Sequence, residues 1–187
     1  IDACYQKFEK QFDNLEGGAN RAPKFPMPVN YSFLLRHSSI SHNETCKKHV
    51  ILTLKKMAYG GIYDQLGGGF ARYSTDMIWK VPHFEKMLYD NAQLISLYSE
   101  AYQYTKDPLF KDVVFETISF LNEELKSDDG SFYAALDADS EGIEGKFYTW
   151  TKSELSEILK GDADLFCDYF NVTENGNWEH GQNILLR

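Results

Sequence analysis

The sequence has little of what redox, nucleotide-binding or membrane proteins require. Its three cysteines, Cys4, Cys46 and Cys167, are far apart and form no Cys-x-x-Cys pair. This chain therefore has no visible dithiol centre, and a disulfide framework is not expected. Thiols scattered in this way fit small buried side chains in a reducing compartment, the cytoplasm. No apolar run approaches the length of a membrane span, and none reads as a signal peptide. Positive charge is scarce: 19 Lys and Arg face 28 Asp and Glu, for a net charge of −9. That balance disfavours nucleic acid or an anionic membrane as partner, since both need clustered cations. The glycines follow neither the P-loop spacing nor Gly-x-Gly-x-x-Gly after a strand, so they are not a phosphate cradle. No cofactor and no metal is expected.

What is present fits a globular domain. At 187 residues and 43% hydrophobic, the chain can bury a sizeable core. Its twelve tyrosines each pair an apolar ring with a polar tip. Both ends read as cut, Ile1 entering a helical pattern and Asn183–Arg187 closing on an apolar segment, as in an excised piece of a longer protein.

Helical periodicity dominates. A first helix is expected from Asp2 to Phe12, and Ala22-Pro23-Lys24-Phe25-Pro26-Met27-Pro28 is a stiff connector. Asn30 is read as the N-cap of a short helix carrying Phe33, Leu34 and Leu35. Asn43 is read as capping a helix through Cys46, Val50, Leu54 and Met57, closed by Gly60. The longest helix is expected over His83–Tyr104, with Phe84, Met87, Leu88, Ala92, Ile95, Tyr98 and Tyr102 as its stripe. Asp107-Pro108 opens another that runs to about Leu125, antiparallel to its predecessor because so few residues join them. Phe132–Leu136 and Lys146–Trp150 read as strands of one hairpin around an acidic loop. Thr151-Lys152-Ser153-Glu154 is a capping box, followed by a helix to Leu159 and another from Asp162 to Tyr169. Helix follows helix, and spacing alone leaves open a bundle, a solenoid or a closed toroid. His37, His42 and His49 lack metal spacing and are expected on helix surfaces.

The stretch from Gly60 to Asp90 organises the rest. Gly60-Gly61-Ile62-Tyr63-Asp64, Gly67-Gly68-Gly69-Phe70 and Arg72-Tyr73-Ser74 lie in a connection too long for an ordinary loop, and such loops are usually functional when ordered. With Ala22-Pro23-Lys24-Phe25-Pro26, Trp79-Lys80-Val81-Pro82-His83-Phe84-Glu85-Lys86-Met87-Leu88-Tyr89-Asp90 and Asp137-Ala138-Asp139-Ser140-Glu141, this stretch resembles a known family. These are the thioredoxin-domain-containing proteins that include the spermatogenesis-associated thioredoxin-like proteins and their bacterial relatives. The motifs occur in family order across most of the chain. The resemblance implies an all-α fold, a partial (α/α)6 toroid of the six-hairpin glycosidase kind with short β-hairpin insertions. It also implies a thioredoxin-like domain of the same parent chain as partner. The toroid is similar to those of N-acylglucosamine 2-epimerases and several glycosidases, which implies a sugar or sugar-like ligand.

On a helical wheel of about 100° per residue, His83, Lys86, Asp90 and Gln93 share one arc, with Glu85 and Tyr89 at its margin. This arc is either a solvated face, whose Lys86–Asp90 pair contributes about 0.3–0.5 kcal/mol, or a catalytic one. In the second reading His83 and Glu85 sit at the positive end of a helix dipole, and His83, Glu85 and Asp90 are candidate catalytic groups. Tyr63, Arg72, Tyr73 and Trp79 are candidate substrate contacts or loop packing. Asp137, Asp139 and Glu141, with Glu144, crowd the acidic loop. They suit calcium, glycosidase-like acid/base work or an ordinary hairpin tip, although position twelve of an EF-hand is here Tyr148. Asn177, Trp178, Glu179 and His180 form a polar-aromatic turn that can line the same hollow. The leading expectation is carbohydrate binding or acid/base carbohydrate chemistry. The alternative is a non-catalytic scaffold or protein-interaction domain supporting the thioredoxin-like domain.

Overall fold

The computed structural model describes residues 2–187, and in it the expected caps do their work. The Asn43 side chain accepts the Cys46 N–H at 2.9 Å, starting α3 (Glu44–Tyr59). Asp107 accepts from Leu109 to start α5 (Pro108–Phe120), which widens into a π-helical turn over Leu121–Leu125. Thr151 and Glu154 cap each other's backbone at the head of α6 (Lys152–Leu159). With α1 (Asp2–Glu9), α2 (Pro28–Ser41), α4 (Leu88–Thr105) and α7 (Ala163–Tyr169), the fold is mostly helical.

The core lies where α2, α3, α4 and α5 pack on one another. Leu34, Val50, Leu54, Met57, Leu94, Tyr98 and Phe110 are sealed inside it, and the Tyr98 hydroxyl donates to the Leu54 carbonyl at 2.8 Å. The long connection after α3 folds back on this core. A Cβ at Gly61 would meet the Lys80 carbonyl oxygen at 2.1 Å, so only glycine lets those two backbones approach. No helix among the described residues is long and apolar enough to cross a membrane.

Several expectations need correction. The longest helix starts at Leu88, not His83, because residues 82–87 are extended. There β2 (Pro82–His83) pairs antiparallel with β1 (Tyr73–Ser74), and β3 (Lys86–Met87) pairs with β4 (Ala135–Leu136). Side chains at 82, 84 and 86 alternate inward as a strand demands, and the ladders to β1 and β4 hold this backbone extended. The single hairpin expected from Phe132 to Trp150 is three pairings instead. β4 goes to β3, β7 (Thr149–Trp150) goes to β8 (Asn183–Ile184), and only β5 (Asp139–Ser140) and β6 (Ile143–Glu144) close on each other. Their turn puts Glu141 and Gly142 both in the left-handed region, which suits a two-residue hairpin loop. The fold remains mostly helical, as expected, with four two-stranded ladders among the described residues tying its loops together.

The second helix begins at Pro28, with Met27 rather than Asn30 before its first turn, and the first ends at Glu9, short of Phe12. His37 and His49 are buried rather than on helix surfaces, while His42 is exposed as expected. The His49 ring stacks on Phe12 at 3.5 Å, and burial pushes its pKa down to about 4, with Asp13 opposing and Lys24 assisting.

Candidate functional site

The extended segment 82–86 sorts its side chains by parity. Pro82, Phe84 and Lys86 line a cavity on one side. His83 and Glu85 point to the other side, where they meet residues of the glycine-rich connection. The His83 ring stacks on Tyr73, centroids 5.0 Å apart and planes 22° from parallel, and Tyr73 in turn stacks on Phe25 at 4.7 Å. The Arg72 N–H donates to the Glu85 carbonyl at 2.9 Å, a bond outside any helix or regular ladder. Its guanidinium also pairs with the Glu85 carboxylate at 3.2 Å.

Asp90 completes this group from the first turn of α4. Burial raises its pKa above the usual carboxylate value, opposed by the Arg72 charge and assisted by that of Glu85. Continuing the β3–β4 register by one residue sets Asp137 opposite Glu85, and directly opposed antiparallel residues share a face. His83 contributes a further anomaly. Its Nδ1 is buried and has no hydrogen-bond partner among the described residues. Native proteins leave few such atoms unpaired, and those they leave are often at working sites.

Five expected residues are therefore brought together: Arg72, Tyr73, His83, Glu85 and Asp90. The reason is strand pairing and not the helical arc: α4 begins at Leu88, so neither His83 nor Glu85 sits at the positive end of its dipole. Lys86 leaves the arc altogether. It is buried on the opposite side, bound to Asp64 at 2.8 Å and to the Gly68 carbonyl at 2.9 Å, and does not pair with Asp90.

The remaining residues lie elsewhere. Trp79 is fully buried with Nε1 donating to the Glu16 carbonyl at 2.9 Å, so it packs the chain's N-terminal loop. Tyr63 is buried too, its hydroxyl on Glu116 at 2.5 Å, and it lines the Lys86 side. Asp139 sits in the β5–β6 hairpin and Glu141 at its tip, paired with Lys146. Both are exposed, as is Asp137. Among the described residues, no three His, Cys, Asp or Glu side chains converge as metal ligands. Trp178 packs on Phe84 at 5.2 Å, and Asn177 donates to the Asn171 and Ile184 carbonyls, so that turn is built into the fold.

Sequence reasoning missed Asp64 and Lys86 as a buried pair. Its only signal was a lysine at an inward position of the alternation.

No protein-family model matches the chain. Among curated proteins it is similar to Spermatogenesis-associated protein 20 of Mus musculus, 37% identical over 212 aligned residues covering 98% of the chain. The Homo sapiens protein of that name is 38% identical over 97% of the chain. An uncharacterized protein of Caenorhabditis elegans is 39% identical over 94% of it. The chain spans 27% of the length of each of these relatives. The name shared by the Mus musculus and Homo sapiens proteins agrees with the spermatogenesis-associated part of the resemblance carried by the motifs.

Proposed function

We propose that this chain is part of an (α/α)6 toroid in a thioredoxin-domain-containing protein, and that the face formed by Arg72, Tyr73, His83, Glu85 and Asp90 binds a sugar or sugar-like molecule. The observation that carries the reading is the pair of carboxylates held in unlike surroundings. Glu85 is bonded to a guanidinium, while Asp90 is desolvated and its pKa raised. A desolvated carboxyl beside one held by a guanidinium suits a division into acid and base. If the site is catalytic, Asp90 is the proton donor and Glu85 or His83 the acceptor. The stacked Tyr73 and Phe25 rings offer the flat apolar surface that a sugar ring packs against. Tyr63, Trp79, Asp139 and Glu141 have no part in this version of the site, whereas Asp137 stays in it beside Glu85.

The test is titration calorimetry of the full-length protein against a panel of mono- and disaccharides, repeated with His83→Ala and Asp90→Asn. Saturable binding that both substitutions abolish supports the reading. Absence of binding to every sugar in the panel overturns it.

A second reading, a scaffold for the thioredoxin-like domain or another protein, is favoured by one observation. Phe25, Met27, Val29 and Ile40 are large apolar residues left exposed in and just before α2. Capture of a protein partner that is lost on Ile40→Lys and unaffected by His83→Ala favours this alternative.

A further inference from the structure

On the other side of the 82–86 segment lies a cavity of about 440 Å³. Its walls carry Phe84, Phe120, Phe147, Tyr148 and Trp150, and the charged groups on it are Asp64, Glu123, Glu124 and Lys86. The Lys86 ammonium already shows what this environment accepts. It lies over the Phe120 ring at 4.4 Å and over Tyr148 at 4.7 Å, with Asp64 and the Gly68 carbonyl completing its surroundings. Asp64 neutralises it within a buried pair. Glu123 and Glu124 enter no ion pair among the described residues. The cavity therefore carries uncompensated negative charge.

That potential reaches the walls. The Tyr148 hydroxyl is pushed up to about 12, first by burial and then by the Asp64 and Glu124 carboxylates. Anions, phosphates and carboxylates alike, are disfavoured in such a place. Neutral apolar molecules gain only from the walls. An organic cation gains from both the ring faces, whose quadrupoles attract positive charge, and the acidic rim.

We propose that this cavity binds an organic ammonium ion carrying an apolar or aromatic body, with the cationic end at Glu123 and Glu124 and the body against Phe84, Phe147 and Tyr148. The site is distinct from the sugar-directed face and does not depend on that reading.

Three near-isosteres test it by titration calorimetry on the full-length protein: 2-phenylethylammonium, the neutral 2-phenylethanol and the anionic phenylacetate. The ammonium ion is expected to bind about tenfold tighter than the alcohol, with phenylacetate weakest. Glu123 and Glu124 are exposed, so Glu123→Gln with Glu124→Gln should leave the fold intact. The double substitution should erase the gap between cation and alcohol while leaving alcohol binding unchanged. Tyr148→Leu should weaken both. Equal binding of all three probes, a cation preference that survives the double substitution, or no binding of any probe at millimolar concentration overturns the proposal.

Discussion

The imidazole of His83 lies flat against the phenol ring of Tyr73, yet its Nδ1 is shut away from any hydrogen-bond partner among the described residues. Leaving a polar atom buried and unpaired costs about 1–3 kcal/mol, so His83 sits where it does at the expense of stability. His83→Phe keeps the stack and removes the orphaned nitrogen. It is expected to raise the urea midpoint while abolishing sugar binding. A lowered midpoint would show that the nitrogen is satisfied in solution.

Asp90 gives a pH test whose sign is fixed. Its carboxyl pKa is raised in the folded chain, mainly by burial. The stabilising contribution of its neutral form is therefore complete at low pH and lost as pH rises through the folded value. Asp90→Asn should flatten the stability profile over that range and stabilise the protein at neutral pH. If the site is catalytic, the same change should remove the alkaline limb of its pH–rate profile. A wild-type profile that stays flat through that range counts against a desolvated Asp90.

His49 runs the other way, in a different window. Its pKa falls to about 4 in the fold, so stability is present above the ordinary imidazole value and lost as pH falls towards 4. The loss between pH 7.5 and pH 5 should be about 2 kcal/mol. The groups facing the ring are Phe12, Tyr31, Asp13 and Lys24. Asp13 is itself held below the usual carboxylate range: burial works to raise it, but the Glu16 and Leu15 N–H groups and Lys24 prevail. It therefore acts only at lower pH. Denaturation curves of His49→Leu should lose the step above pH 5 and keep the one below it.

The Lys86–Asp64 pair should behave as a buried ion pair. Removing one partner strands the other, so Lys86→Ala should destabilise by about 3–5 kcal/mol. Lys86→Met together with Asp64→Asn should cost less than the sum of the single changes, measured by a double-mutant cycle in urea. Simple additivity would mean that the two charges do not meet in solution.

Gly61→Ala puts a methyl group against the Lys80 carbonyl. Forced displacement of that backbone should cost about 1–3 kcal/mol by thermal or urea unfolding. A neutral result would mean that the connection is looser than the 2.1 Å approach requires.

Local signals carried much of the fold. Asn43, Asp107 and Thr151 announce helix starts through side chains that can reach a backbone N–H, and all three make the bond. The start of α4 was hidden because Phe84, Met87 and Leu88 fit helical spacing, while the strand alternation of 82, 84 and 86 puts a lysine at one of its inward positions. The deciding interaction, β3 with β4, bridges residues some fifty positions apart, and no local pattern encodes it. Residue type misled as well. His49 lies on the same stripe as Cys46, Val50 and Thr53, all buried, but a histidine there reads as surface. Lys24 and Lys86 are almost fully buried because each finds a carboxylate and a carbonyl, pairings that only the folded chain supplies. For the candidate site, the nearness of His83, Glu85 and Asp90 was legible because they are close in sequence, while its cause, pairing of the segment as a strand, was not.

Because one stretch of backbone separates a cavity from the polar face behind it, its reading frame decides which side chains reach each. Inserting a single residue between Val81 and Pro82 would turn His83 and Glu85 toward the cavity and Phe84 and Lys86 away from it. The Lys86 charge would then arrive on the wrong side. A change in the length of this wall keeps every side chain on its own side only in steps of two.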